Sequence, residues 1–192
     1  MRWPLLPGLA LALLLPAAAS AQPSAALQRL LPQCLACHGA DGVSRLDGVP
    51  SLAGQPRLYL ENRLVMIREG LSPVPVMQAL VAGLSDAELI ALSRHFAALP
   101  MPPARPARDA ARAARAEALA QRALCASCHG PRAEGREQMP RLAGQREDHL
   151  LRVLRAMAAG SAPGRDTLMT NALAGLSDAD LADLAHHFAT LP

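Results

Sequence analysis

An all-α protein made of two tandem copies of one domain is the fold class this sequence predicts. Three observations lead there. First, the chain repeats itself. Cys34-Leu35-Ala36-Cys37-His38 returns 91 residues on as Cys125-Ala126-Ser127-Cys128-His129, and Leu52-Ala53-Gly54-Gln55 returns 90 residues on at Leu142 to Gln145. Ala82 to Ala87 recurs letter for letter as Ala174 to Ala179. Shared landmarks at one long period are the mark of a duplicated unit. Second, apolar residues recur at helical spacing, as in Leu60, Leu64 and Ile67, or Leu89, Leu92 and Phe96. Third, no stretch alternates as a half-buried strand would.

The division predicted is a signal peptide over 1–21, a first domain over 22–100, a linker over 101–108 and a second domain over 109–192. Arg2, the apolar run Leu9 to Leu15 and Ala19-Ser20-Ala21 supply the three parts of a secretory leader. The run is short for a membrane span, and Pro7 and Pro16 interrupt it. Export is therefore expected. A short helix over 24–33, with Ser24 as its N-cap, leads to the first Cys motif. A helix over 57–69 ends at Gly70. Ser72 to Met77 carries two prolines and is expected to be an extended loop. Ser85 opens the next helix, and Glu88 completes a capping box. The linker is proline-rich and should be stiff. Asp109 caps an Ala/Arg helix running to the second motif. A helix over 146–159 and a Pro/Gly loop over 161–168 follow. Ser177 with Asp180 then starts a last helix whose apolar face is Leu181, Leu184, Phe188 and Leu191.

The two Cys motifs hold all four cysteines of the chain. C-x-x-C-H is the attachment signature of c-type haem. Residues three apart on a helical turn share a side, so both thiols reach one edge of a porphyrin and the next residue lies under the ring. His38 and His129 are thus the expected first iron ligands. Two disulfides, a dithiol redox site or a zinc site are the other uses of such cysteines. A disulfide scaffold has no need of the His, and a Cys/His zinc site has no need of a Met.

Met77 lies 39 residues after His38 and Met169 lies 40 after His129, and each sits 8 residues before the Ser that opens the final helix. Neither Met66 nor Met139 has a methionine partner in the repeat. Met77 and Met169 are therefore the expected second ligands, and His/Met ligation favours ferrous iron. His95 and His187 also pair across the repeat, but beside a core Phe, where packing is the ordinary role. His186 is expected to face solvent, and His149, aligned with Tyr59, to be a packing substitution. Pro50 and Pro140 follow the two motif histidines by 12 and 11 residues, where a carbonyl holding the far ring nitrogen is expected.

Bulk composition agrees. One Trp, one Tyr and two Phe leave thin cores for two small domains, and a haem in each would supply flat apolar bulk. All 19 basic residues are arginine. Without Arg2 the balance is 18 Arg against 16 acidic residues, and haem propionates lower it further. That excludes an electrostatic case for nucleic-acid binding.

The duplicated set of C-x-x-C-H, Pro-x-Leu-Ala-Gly-Gln, loop Met and closing Leu-Ser-Asp helix resembles the dihaem cytochromes c4. The resemblance implies two tandem class I cytochrome c-like domains, each wrapped around a covalently bound haem c. It implies thioether links at Cys34, Cys37, Cys125 and Cys128, axial pairs His38/Met77 and His129/Met169, and proximal carbonyls at Pro50 and Pro140. It further implies a non-enzymatic, monomeric periplasmic electron carrier, soluble or loosely membrane-associated, that passes electrons between redox partner proteins, often to a terminal oxidase. The alternative is the dihaem electron-transfer subunit of a periplasmic dehydrogenase. A dihaem peroxidase would need an open iron, and a methionine offered to each haem argues against it. The departure from the family is a His, at 95 and 187, where members often carry Tyr.

Overall fold

A computed structural model of the protein describes residues 25–72, 74–101, 109–161 and 167–191. The expected leader, the Ser24 cap and all of the linker but Met101 lie outside these residues. Among them the chain is helical, with one isolated bridge between Arg136 and Met139 and no strand. No single helix among them is long and apolar enough to cross a membrane.

The first half holds α1 (Ala25–His38), α2 (Arg57–Arg68), α3 (Pro75–Val81) and α4 (Asp86–Ala98). The second holds α5 (Ala110–Arg122), α6 (Cys125–His129), α7 (Glu147–Ala158), α8 (Thr167–Ala172) and α9 (Asp178–Thr190). In each half the last helix is the platform. α1 and α2 pack on α4, and α5 and α7 pack on α9. Leu27, Leu30, Leu60, Leu92 and Phe96 form one core, with Ile67, Val81 and Leu89 beside it. Ala116, Leu119, Leu150, Leu154, Leu181, Leu184 and Phe188 form the other. The predicted apolar faces are the buried ones.

Local chemistry explains the boundaries. Ser85 accepts from the Glu88 N–H while the Glu88 carboxylate takes the Ser85 N–H, and Ser177 with Asp180 repeats the box. Asp109 caps α5 through the Arg112 N–H. Gly70, at φ +71°, turns the chain out of α2. Gly54 and Gly144 also hold positive φ, +61° and +70°. Each donates its N–H to the carbonyl of the platform Phe, Phe96 at 3.1 Å and Phe188 at 3.0 Å. A Cβ on Gly54 would run into the Met101 side chain.

Three expectations need correction. The first Cys motif is part of α1, which runs to His38 through Pro32 rather than ending at 33. In the second half the helix stops at Arg122, and Leu124, at φ +54°, turns the chain before the short α6. Ser72 to Met77 is not all extended loop, and Met169 does not sit in a loop either. Pro75 begins α3, and Met77 and Met169 lie within α3 and α8. Proline is welcome at a helix start, where its missing N–H would have had no partner.

Leu124 is largely exposed and spends its left-handed turn without packing in return. Leu124→Gly should therefore stabilise the protein by about 1 kcal/mol. A higher denaturant midpoint at unchanged slope is the expected result.

The halves dock through reciprocal polar contacts. Gln55 binds both backbone groups of Arg141, accepting its N–H at 3.0 Å and donating to its carbonyl at 2.9 Å. Gln145 does the same to Ser51, at 2.8 Å for each bond. The Tyr59 N–H donates to Glu137 O. Arg146 pairs with Asp47 at 2.9 Å, and Asp148 accepts the Gly48 N–H at 2.5 Å. Burial pushes the Asp148 carboxyl up, but Arg146 and the Gly48 and His149 N–H groups outweigh it and hold it at about 2. Its contribution to docking is complete above its ordinary value of 3.8 and is lost as pH falls through about 2. Scattering on acidification should show the radius of gyration rising across that window, and Asp148→Asn should flatten the rise.

Candidate functional site

In the first half a cavity of about 420 Å3 opens between α1, α2, α3 and α4. That volume is in the range of a cofactor site. Cys34, Cys37 and His38 reach it from the C-terminal turns of α1, Pro50 from the loop that follows, Met77 from α3 and Phe96 from α4. Gln145, His149 and Arg152 of the second half complete its rim. Most of the lining is apolar. The site has the ingredients a flat apolar group needs: two thiols on one helical turn, an imidazole directly after them and a thioether on a separate element.

The histidine is set in one tautomer. His38 is 5 % exposed, and burial pushes its pKa below the ordinary value, against the weaker opposing effect of its hydrogen bond to Pro50. It is therefore neutral, with one ring nitrogen donating and the other accepting. Nδ1 lies 2.8 Å from Pro50 O, which can only accept, so Nδ1 carries the proton. The Nε2 lone pair is left to bind a metal. The Phe96 ring stands edge-on to the imidazole at 6.5 Å and helps hold its plane.

The second half repeats this. His129 is 6 % exposed, pushed down by burial in the same way, and its Nδ1 lies 2.9 Å from Pro140 O. Cys125 and Met169 pack half-buried against the core. Both proline carbonyls thus meet the far ring nitrogen of the motif histidine.

None of the four cysteines is in a disulfide. Burial raises the Cys34 and Cys125 thiols, which disfavours the thiolate needed by a dithiol redox or zinc site. Among the described residues no group of three or more His, Cys, Asp or Glu comes together as a metal cluster.

The other histidines divide. His95 and His187 stack edge-on against Phe96 and Phe188, each at 5.2 Å, and burial pushes both pKa values down. They pack. His149 lines the rim of the first cavity together with Tyr59, and its Nδ1 lies 3.0 Å from Arg152. His186 does not face solvent. It is 2 % exposed, and its Nδ1 meets Glu147 at 3.1 Å. The equivalent position in the first half is the exposed Arg94. In the second half Glu147, which Arg112 also approaches at 3.7 Å, closes over the ring.

Sequence reasoning saw Gln55 and Gln145 only as letters of a repeat. Their position directly after the Gly that docks on the platform helix was the available signal.

Comparison with known proteins places these features in context. The Cytochrome c family profile matches residues 113–192. Cytochrome c4 of Pseudomonas aeruginosa is 32% identical over 173 residues, covering 85% of this chain and 86% of that protein. The thiosulfate dehydrogenase electron acceptor of Stutzerimonas stutzeri is 31% identical over 169 residues, covering 82% and 78%. Among solved structures, reduced recombinant cytochrome c4 from Pseudomonas stutzeri superposes with a TM-score of 0.79 at 27% identity, covering 88% of this chain and 98% of that one.

Proposed function

This chain belongs to the cytochrome c4 family, and from that premise we propose that each half binds its haem through its C-x-x-C-H motif and the methionine that follows it. The protein is an electron carrier, not an enzyme, and holds two covalently attached haem c groups. Each haem supplies an iron that accepts and returns one electron.

The chain's own residues do the rest. Cys34 and Cys37, and Cys125 and Cys128, would form the thioether links. His38 and His129 would offer Nε2 to the iron, held in that tautomer by the Pro50 and Pro140 carbonyls. Met77 and Met169 would supply the second ligands. Two protein ligands in each half would let the site change charge with little rearrangement. The domain division at residues 101–108 belongs to the same reading.

The observation that carries this is the histidine–proline hydrogen bond, present in both halves at nearly equal length. It holds the tautomer whose Nε2 lone pair can serve as a ligand.

The carrier works in the periplasm as a monomer, between a donor protein and a terminal oxidase. With the linker's Arg105 and Arg108 included, residues 104–192 hold 12 Arg to 10 acidic residues against 6 to 6 over 22–103, so a partner's acidic face docks better on that part of the chain. A second reading, favoured by the similarity to a thiosulfate dehydrogenase electron acceptor, makes a dehydrogenase the donor. Two mixing experiments test them. Reduced protein should be oxidised by oxidase-containing membranes, and oxidised protein should be reduced by a thiosulfate dehydrogenase with its substrate. Turnover of peroxide by the protein alone would contradict both readings.

A further inference from the structure

The two glutamines that dock the halves do more than hold them. The peptide unit joining Pro50 to Ser51 is bonded at both ends. Its carbonyl accepts from His38 Nδ1 at 2.8 Å, and its N–H donates to Gln145 Oε1, also at 2.8 Å. The unit joining Pro140 to Arg141 is bonded the same way. Its carbonyl accepts from His129 at 2.9 Å, and its N–H donates to Gln55 Oε1 at 3.0 Å. Each chain of bonds therefore begins on the histidine of one half and ends on a side chain of the other. Both glutamines are buried, 5 % and 6 % exposed, so water does not compete for them.

We propose that Gln55 and Gln145 are crossed positioning residues: each sets the electron affinity of the iron in the opposite half. The inference rests on the reading that His38 and His129 bind iron. An amide whose N–H is taken by an acceptor places more negative charge on its oxygen, because bonds in a chain polarise one another. A more negative oxygen pulls harder on the Nδ1 proton. The imidazole then becomes a stronger donor through Nε2, and a stronger donor favours ferric iron. Each glutamine thus lowers the potential of the haem across the interface.

The pair is not symmetric. Gln145 Oε1 also accepts the Arg146 N–H at 2.9 Å. The matching residue in the first half is Pro56, which has no N–H to give. Gln55 Oε1 serves the Arg141 N–H without that competitor, so the crossed effect on the second haem is the larger.

The test uses Gln55→Leu and Gln145→Leu in the full haem-loaded protein. The redox titration is followed by NMR, with each haem assigned to its half by contacts to Phe96 or Phe188. Gln145→Leu should raise the potential of the first half's haem and leave the second in place. Gln55→Leu should raise the second by more than the first, whose cavity Gln55 also lines. A larger rise for the haem in the variant's own half, an equal rise of both, or no movement would overturn the proposal. If a leucine variant separates the halves, both potentials fall as water reaches the haem edges, and Gln145→Glu decides. That carboxylate keeps an acceptor on the Ser51 N–H, so it must lower the first haem's potential by more than the second's, and equal lowering overturns the proposal. A protein without haem fails the ligation reading itself, and its absorption spectrum shows this before any titration.

Discussion

Met77→Ala should convert the first haem to a high-spin centre with one protein ligand and leave the second haem untouched. Met77 comes from α3, a separate element from the helix that carries the thiols and His38. On the proposed ligation its loss removes one bond to iron without loosening the covalent attachment. Two haems should still be retained, because the cysteines and histidines are intact. The thioether favours ferrous iron, so the first haem's potential should fall. A tenfold change in the ferrous–ferric ratio is 59 mV for one electron, and a shift of about that size or more is expected. Added imidazole or carbon monoxide should bind the variant and not the parent. Met169→Ala should do the same to the second haem alone. If neither variant changes spin state, the methionines are core residues and the sixth ligand lies elsewhere.

Phe188→Ala should cost about 3–5 kcal/mol, the usual range for removing a buried aromatic. That is a large share of the about 5–15 kcal/mol that holds most domains folded. Phe188 is 5 % exposed and shares its core with Leu184, Leu154 and Leu150. It is one of only two phenylalanines in the chain, and the other, Phe96, lies in the first half's core. Its carbonyl also receives the Gly144 N–H, which ties the turn bearing Gln145 to the platform helix. Denaturant unfolding should show a lower midpoint for the second half, while Phe188→Leu, which keeps most of the volume, should cost under about 1.5 kcal/mol.

Much of this was legible in the residues. The period of the repeat placed the platform helices and both capping boxes, because a Ser followed three residues on by Glu or Asp leaves few other structures. The spacing of Pro50 and Pro140 from the histidines fitted an ordinary loop proline equally well, and it was the family resemblance that pointed to their carbonyls. What failed was proline. Two prolines before Met77 read as a break, yet Pro75 starts a helix, since position decides whether proline stops or begins one. His186 failed for another reason. Its burial depends on Glu147 and Arg112, which lie far off in sequence. The glutamines' crossed partners could not be read for the same reason, since each bonds a backbone 86 or 94 residues away.

The central claim is that each half holds an iron porphyrin from both faces. Absorption of the oxidised protein, with haem content measured on the same sample after denaturation, tests it most directly. Two covalently retained haems per chain are expected, both low-spin, with the methionine-to-iron charge-transfer band at full strength for two centres. Half that strength, a high-spin spectrum, or haem that washes away on denaturation would contradict it.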